Sequence, residues 1–180
     1  MKHEISMNVN GQEVFKPVGY KPFDRESYKV NQPLELLVAA KLRIKGCQIV
    51  KNPDKFGIDL LIRKNGETVG GIEVEAYKRW STRKWYGGVV HFLGRKAKYA
   101  LPNCFYIIVG HKGVLMCEFV NIVSCKTVRV NTPVCDNEPM FAVPKVYCIF
   151  GWKRINNYLN GYVNGLKDSG YVSNLTGVNE

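Results

Sequence analysis

Three carboxylates lie close together in a stretch of mostly apolar, strand-forming residues. Asp59 precedes the run Leu60–Ile62, and Glu73 and Glu75 alternate with apolar residues further on. Between them, Asn65-Gly66 is a strong turn signal, so the stretch predicts a β-hairpin with acids on both strands. Acids are scarce in this chain, with 15 Asp and Glu against 26 Lys and Arg. Because close carboxylates repel one another, the cluster predicts a compensating cation, and Mg²⁺ suits one or two carboxylates plus waters.

The turn decides whether these acids share one face of the hairpin. With a strict two-residue turn at Asn65-Gly66, Asp59 pairs with Ile72 and points away from Glu73, because paired residues share a face. A loop of three residues, or a bulge at Gly70-Gly71, would bring Asp59 and Glu73 to the same face. We expect one of these two irregularities.

An acid that opens one strand, followed by an acid-x-lysine triplet on the next, resembles the motif of the PD-(D/E)xK nuclease superfamily. Asp59 and the triplet Glu73-Val74-Glu75 match it, with Glu75 in place of the lysine. The resemblance covers residues 33–110. It implies an α/β fold with a mixed central β-sheet flanked by helices, a restriction-endonuclease-like αβββαβ core, here followed by extra C-terminal β structure. It also implies hydrolysis of DNA phosphodiester bonds by an endonuclease that depends on Mg²⁺ or Mn²⁺.

The same resemblance implies roles for individual residues. Asp59, Glu73 and the backbone carbonyl of Val74 would bind the metal ion, and Glu75 would hold a second metal ion or orient the attacking water. Glu35, on a predicted helix that precedes the strands, would complete the metal shell. An acid in the first turn of a helix is also explained by the helix dipole, so both interpretations of Glu35 stay open.

A lysine that has moved away from the motif would be Lys78 or Lys96, and either could stabilise the charge that develops on phosphate. Asp54 is a rival to Asp59, because Pro53-Asp54 also spells an acid before the triplet. We prefer Asp59, since Asp is common in turns for local hydrogen bonding, whereas Asp59 is embedded in a predicted strand.

The chain is strongly basic, with a formal net charge of +11, which favours a polyanionic partner. Residues 76–88 combine cations that neutralise phosphate with aromatic rings that can stack on bases, and Arg95, Lys96 and Lys98 lie just beyond the next predicted strand. We therefore expect DNA as the partner, with a nucleic-acid-binding surface that comprises Arg79, Arg83, Lys84, Trp85, Arg95 and Lys98. The alternative for residues 76–88 is a helix that packs Tyr77 and Trp80 on the core and leaves the charged side chains in solvent.

The 180 residues predict one folded domain, with an N-terminal arm at 1–30, a nuclease-like core at 31–120 and a C-terminal extension of the same domain at 121–180. The sequence contains neither an apolar run of the roughly 20 residues that a bilayer requires nor the apolar core of a signal peptide. We expect a cytoplasmic protein with no membrane partner. Six cysteines without C-x-x-C spacing predict reduced thiols rather than a zinc site.

The periodicity of apolar residues predicts the elements that position the acids. A helix should begin near Pro33, a strand buried on both faces should cover 104–110, and the tail from Asn156 should be frayed or loosely docked. Further strands are predicted at 47–50, 58–62, 72–75, 89–93 and 115–120.

Two other classes of function remain open. The first is a catalytically inactive nucleic-acid-binding protein with a nuclease-like fold, which the missing motif lysine favours. The second is a structural or interaction protein in which the acids form ion pairs with the many Lys and Arg residues. Assembly as a homodimer is compatible with the sequence.

Overall fold

The computed structural model describes residues 3–7, 13–17, 25–54, 56–77, 79–82, 84–132 and 136–165. The protein is a mixed α/β protein with a mixed sheet of six strands and a second sheet of three strands. Its α-helices are α1 Arg25–Lys41, α2 Phe119–Val123 and α3 Trp152–Gly165. Its strands are β1 His3–Met7, β2 Glu13–Pro17, β3 Cys47–Lys51, β4 Leu60–Lys64, β5 Glu67–Ala76, β6 Val89–Leu93, β7 Cys104–Val109, β8 Val114–Glu118, β9 Thr127–Val130, β10 Glu138–Pro144 and β11 Ile149–Phe150.

The large sheet has the strand order β11-β8-β7-β5-β4-β3. Its neighbours are antiparallel except β5 and β7, which run parallel with Glu73 opposite Tyr106. The prediction that the apolar run at 104–110 forms a central strand is confirmed, because β7 lies between β5 and β8 and is buried along most of its length.

The two faces of the large sheet carry different layers. On one face, Ile72, Phe105 and Ile107 pack in a core with residues of α1 and α3. On the other face, Tyr106 and Ile108 pack with residues of the small sheet, whose order is β6-β10-β9, and of α2. Full burial of a large apolar side chain contributes about 1.5–3 kcal/mol, so these layers fix the sheet that carries the acids.

The β4–β5 hairpin contains a tight turn. Asn65 and Gly66 have φ values of 53° and 87°. Lys64 pairs with Glu67, so the turn has two residues, and positive φ at both is the geometry that Asn-Gly favours in hairpins. The predicted alternative of a three-residue loop is therefore wrong.

A β-bulge follows the turn and changes the register. Ile62 pairs with Gly70, whereas the next residue of β4 pairs with Thr68, so Val69 is the extra residue. This confirms the predicted bulge, one residue before the predicted Gly70-Gly71. Beyond the bulge Leu60 lies opposite Ile72, and continuing that register places the acid at 59 opposite the acid at 73.

Glycine is required at position 70 because the backbone of Asn103 approaches it closely at this bulge. A Cβ at Gly70 would lie 2.6 Å from the backbone oxygen of Asn103, whereas a Cβ at Gly161 in α3 would meet no atom within 4 Å. We expect Gly70→Ala to lower the free energy of unfolding by about 1–3 kcal/mol and Gly161→Ala to raise it by about 0.5–1 kcal/mol. Urea denaturation measures both, and a neutral Gly70→Ala would contradict the register described above.

Helix α1 begins at Arg25, well before the predicted start near Pro33, and Pro33 lies inside it. Glu35 is therefore far from the first turn, and the explanation of Glu35 by the helix dipole is wrong. The predicted arm at 1–30 contains the hairpin β1–β2 and the start of this helix.

The tail was expected to be frayed or loosely docked from Asn156, and this is wrong for residues 156–165. They belong to α3, where Ile155, Leu159 and Val163 are buried at helical spacing. Asn156 and Asn160 accept hydrogen bonds from the backbone N–H groups of residues 43 and 45. The polar composition concealed an amphipathic helix whose asparagines bind the chain that follows α1.

The connection between β5 and β7 also differs from the expected core. The predicted second α-helix is not found in the described residues there; β6 and a 3-10 helix, Gly94–Tyr99, take its place. The alternative in which residues 77–86 form a helix is likewise wrong for the residues described. Trp80 packs on the core as that alternative proposed, but Tyr77 is exposed.

No helix in the described part of the chain is both long and apolar enough to cross a membrane. Of the cysteines that the structure describes, Cys47, Cys104, Cys117, Cys125 and Cys148 are all free thiols, as predicted. Cys135 lies outside the described residues.

Candidate active site

Glu73 lies on β5, and Asp59 lies opposite it just before the start of the neighbouring strand β4, at the face covered by the small sheet. Asp59 directly precedes β4, and its Oδ2 accepts a hydrogen bond from the Val74 N–H at 2.8 Å. Because the N–H and C=O of one strand residue point to the same side of the strand, the Val74 carbonyl lies on the same side of β5 as the N–H that binds Asp59. Burial raises the pKa of Asp59, and the nearby Lys96 charge and the Val74 hydrogen bond oppose that rise.

Glu73 is the most deeply buried acid of the group, with a relative exposure of 1%. Its Oε1 is paired with the Nζ of Lys96, which projects from the 3-10 helix. Its Oε2 has no hydrogen-bond partner in the part of the chain that the structure describes. Burial raises the pKa of Glu73 to about 7, Lys96 opposes this rise and the charge of Asp59 adds to it. A buried carboxylate oxygen without a partner is costly, so it marks a place where a ligand would be stabilising.

The pKa of Glu73 makes stability depend on pH. Since the carboxyl titrates near 4.5 when unfolded and near 7 when folded, the folded protein binds the extra proton between those values. The free energy of unfolding should therefore fall by on the order of 3 kcal/mol as pH rises from about 4.5 to 7 in EDTA, and level off above. Glu73→Gln should lack this fall, whereas Glu67→Gln, an exposed acid on the same strand, should keep it. Urea denaturation across this pH range gives the free energy of unfolding of each protein. If it depends on pH in the same way in the wild type, Glu73→Gln and Glu67→Gln, the assignment to Glu73 is contradicted.

Glu75 lies on the same face, and its Oε2 accepts a hydrogen bond from the hydroxyl of Tyr106. Tyr106 is fully buried, and burial followed by the charge of Glu75 raises its pKa, so it remains a donor. Burial also raises the pKa of Glu75, and the Tyr106 hydrogen bond opposes the rise. The Tyr106 hydrogen bond therefore fixes the orientation of Glu75 beside Glu73, and the charge of Lys96 acts on both carboxylates.

A fourth acid, Glu138, joins this group and was not identified from the sequence. It is buried on β10, and its Oε1 accepts from the Nε of Arg95 at 3.3 Å. The charges of Arg95 and Glu138 both act on Glu75. Glu138 lies 63 residues after Glu75 in the chain and has no motif around it. Only the pairing of β10 with β6 brings it to the end of the strand that leads to Arg95.

Because the sequence predicts that Arg95 contacts DNA, Glu138 should hold the Arg95 side chain in place for a phosphate. We expect Glu138→Gln to weaken DNA binding by roughly fivefold, because a partly exposed arginine loses a charged hydrogen bond that restricts it. Glu118→Gln is a matched control, since that half-buried acid accepts from the hydroxyl of Tyr158 elsewhere. Fluorescence anisotropy with labelled DNA gives both affinities. Equal losses in the two variants would show that Glu138 acts on the fold and not on Arg95.

Glu35 lies close to the acids without joining them directly. It is buried on α1, and its Oε2 is 2.8 Å from the Nζ of Lys51. Its charge contributes to the raised pKa of Asp59. The structure thus places Glu35 near the carboxylates, as the predicted metal shell requires, but pairs it with a lysine on β3.

Asp54, the rival of Asp59, is exposed and engaged locally. Its Oδ1 accepts from the N–H of Phe56 at 2.9 Å, and its own N–H donates to the Oδ1 of Asn52 at 3.1 Å. These are the turn hydrogen bonds that explain an Asp at such a position. Asp54 therefore does not belong to the buried acid group.

Two of the predicted nucleic-acid-binding residues lie beside the acid group, because the charge of Arg95 acts on Glu75 and that of Glu73 acts on Lys98. Arg95 and Lys98 project from the 3-10 helix, and Lys98 donates to the Phe56 carbonyl at 3.2 Å. Arg79 and Lys84 are exposed, and Trp85 is partly buried, in the segment after β5. Lys78 and Arg83 lie outside the described residues.

The donor set suits a hard cation. Carboxylate and carbonyl oxygens with one unpartnered buried oxygen are ligands that Mg²⁺ accepts, and Mg²⁺ usually keeps several waters and substrate oxygens besides one or two carboxylates. Among the described residues, no group of three or more His, Cys, Asp and Glu is arranged to hold a metal ion by itself. The residues that fit are Asp59, Glu73 and the Val74 carbonyl.

A scan against models of protein families finds no match for this chain, and a search of curated protein sequences finds none either.

Proposed function

We propose that this protein is a Mg²⁺-dependent endonuclease that hydrolyses DNA phosphodiester bonds at a site of the PD-(D/E)xK type. The observation that carries the proposal is the buried carboxylate of Glu73, on the same face of the sheet as Asp59. One of its oxygens is paired with Lys96, and the other has no hydrogen-bond partner among the described residues. Buried ionisable groups with raised pKa values that are grouped in one place are typical of functional sites.

The order of elements supports the same proposal. A helix, α1, precedes the antiparallel meander β3–β4–β5, and the strand beside β5 is the parallel β7. This order is compatible with the helix, three strands and returning fourth strand that the superfamily resemblance implies. The departure is the crossover, where β6 and the 3-10 helix replace an α-helix and deliver Lys96 to Glu73.

Each residue then has a defined task. A Mg²⁺ ion held by Asp59, Glu73 and the Val74 carbonyl would supply Lewis-acid activation of the phosphate and a bound water of lowered pKa. Lys96 places a positive charge where negative charge develops on phosphate. Glu75, oriented by the Tyr106 hydroxyl and with its pKa raised by burial, would position and deprotonate the attacking water or hold a second metal ion.

A nuclease-like DNA-binding protein without catalysis is the second candidate. Two observations favour it: Glu75 occupies the position of the motif lysine, and Lys96 already occupies one oxygen of Glu73. An ion pair of this kind satisfies a buried charge without any metal ion.

Incubation with supercoiled plasmid separates the two candidates. Nicked and linear products should accumulate with Mg²⁺ or Mn²⁺ and be abolished by EDTA. Calorimetric titration with Mn²⁺ should detect binding that Glu73→Gln loses. Normal DNA binding with neither nicking nor Mn²⁺ binding would leave only the inactive protein.

A further inference from the structure

Several large apolar side chains are exposed together at the carboxyl end of β5. Tyr86 is 79% exposed, Val146 85%, Tyr147 51% and Tyr77 40%. We call these four residues the aromatic patch. Exposed apolar groups collected in one place mark binding surfaces more often than isolated ones do.

Hydrogen bonds and strand pairing bring the segments of the aromatic patch together. The N–H of Lys145 donates to the Gly88 carbonyl at 3.0 Å, and its Nζ donates to the Trp85 carbonyl at 3.0 Å. Val89 pairs with Pro144 across β6 and β10. The segment that carries Tyr86 is thereby held beside the segment that carries Val146 and Tyr147.

The rings behind the patch are anchored on the core. Trp85 lies 5.6 Å from Tyr77 and 5.3 Å from Trp80, measured between ring centroids. Trp80 is buried, and the indole N–H of Trp85 donates to the Val89 carbonyl at 3.0 Å. A surface fixed in this way loses little side-chain entropy when a flat ligand stacks on it.

The exposed charged residues that adjoin the patch in the sequence are cations, among the residues that the structure describes. Arg79, Lys84 and Lys145 are exposed around it. The sequence contains no Asp or Glu from residue 76 to 117 or from 139 to 167, and these two stretches include all four residues of the patch. Aromatic rings flanked by exposed cations complement a polyanion with flat bases.

We propose that the aromatic patch binds unpaired bases of a single-stranded DNA arm, so that the substrate of the acid site is a duplex with such an arm. This inference rests on the proposed nuclease function. In a duplex each base is already stacked on its neighbours, whereas an unpaired base offers its face to an aromatic ring. Tyr77 follows Glu75 by two residues, about 7 Å along an extended chain, so an arm on the patch leaves the duplex junction beside the acids.

Binding in EDTA by the Asp59→Asn variant tests the proposal without cleavage. Labelled duplexes with and without an arm of about ten thymidines are compared at one salt concentration, since salt alone changes affinity. The armed duplex should bind about tenfold more tightly than the blunt one. Adding Tyr86→Ser should remove most of this ratio, and Lys84→Ala should weaken both DNAs to a similar extent. Leu36→Ser, an exposed leucine on α1 across the sheet, is the matched control and should leave both affinities unchanged.

Equal affinity for the two duplexes, or a ratio that Tyr86→Ser does not reduce, would overturn the proposal. Self-association in sedimentation velocity that Tyr86→Ser abolishes would also overturn it, since the patch would then bind a second copy of the chain. The ratio is measured without metal, so it holds or fails independently of the nuclease proposal, which the nicking assay tests separately.

Discussion

Asp59→Asn should lower Mg²⁺-dependent nicking of supercoiled DNA by about a thousandfold. The substitution keeps the size of the side chain and an oxygen that can still accept from the Val74 N–H, but removes the negative charge that a divalent cation requires. Folding should be preserved, because burial raises the pKa of Asp59 and the charge is costly in the folded state. Rates of nicking measured with saturating Mg²⁺ give the effect.

Asp54→Asn is the matched control for this prediction. Both residues are aspartates in the same connection between β3 and β4, but Asp54 is exposed and holds a local turn. Asn preserves such a turn, so nicking should change by less than about twofold. Comparable losses in both variants would assign the metal ion to a different place, and an active Asp59→Asn enzyme would contradict the proposed site.

Much of the site could be predicted from local patterns. Asn65-Gly66 determines the turn, and alternation in β5 places Glu73 and Glu75 on one face. A β-bulge was predicted because a shared site requires Asp59 on that same face. The exact position of the bulge could not be predicted, because it lies where Gly70 packs against the backbone of Asn103, a residue distant in the sequence, in the turn before β7.

The parts that could not be predicted depend on tertiary contacts. Glu138 reaches Arg95 only because β10 pairs with β6, and a single buried acid before Pro139 has no local signature. The choice of Lys96 as the partner of Glu73 depends on a 3-10 helix in place of an α-helix. In α3, asparagines and glycines give a low intrinsic helix propensity, and the helix is stabilised by the packing of Ile155, Leu159 and Val163.

Lys96→Met should reduce nicking by roughly a hundredfold to a thousandfold, the second large effect that we expect. The methionine keeps the length of the side chain but removes the only charge that contacts Glu73 within the described residues. The pKa of Glu73, already about 7 because of burial, should then rise further, so the carboxyl stays protonated at neutral pH and loses its value as a metal ligand.

A pH profile separates two tasks of Lys96. If the lysine only keeps Glu73 ionised, raising the pH to about 9 should restore most of the activity of Lys96→Met, because the carboxyl then loses its proton. If the lysine also stabilises charge on the phosphate, most of the loss should persist at that pH. We expect the second result, since a charge beside the metal ligand lies where the phosphate must bind.

Lys98→Met is the matched control, because Lys98 projects from the same 3-10 helix but donates to the Phe56 carbonyl at 3.2 Å instead of to an acid. It should weaken DNA binding a few-fold through the loss of one phosphate contact and leave the maximal rate of cleavage unchanged. Wild-type rates in Lys96→Met would show that its pair with Glu73 is structural. The auxiliary lysine would then be sought at Lys78, which directly follows Tyr77 in the sequence.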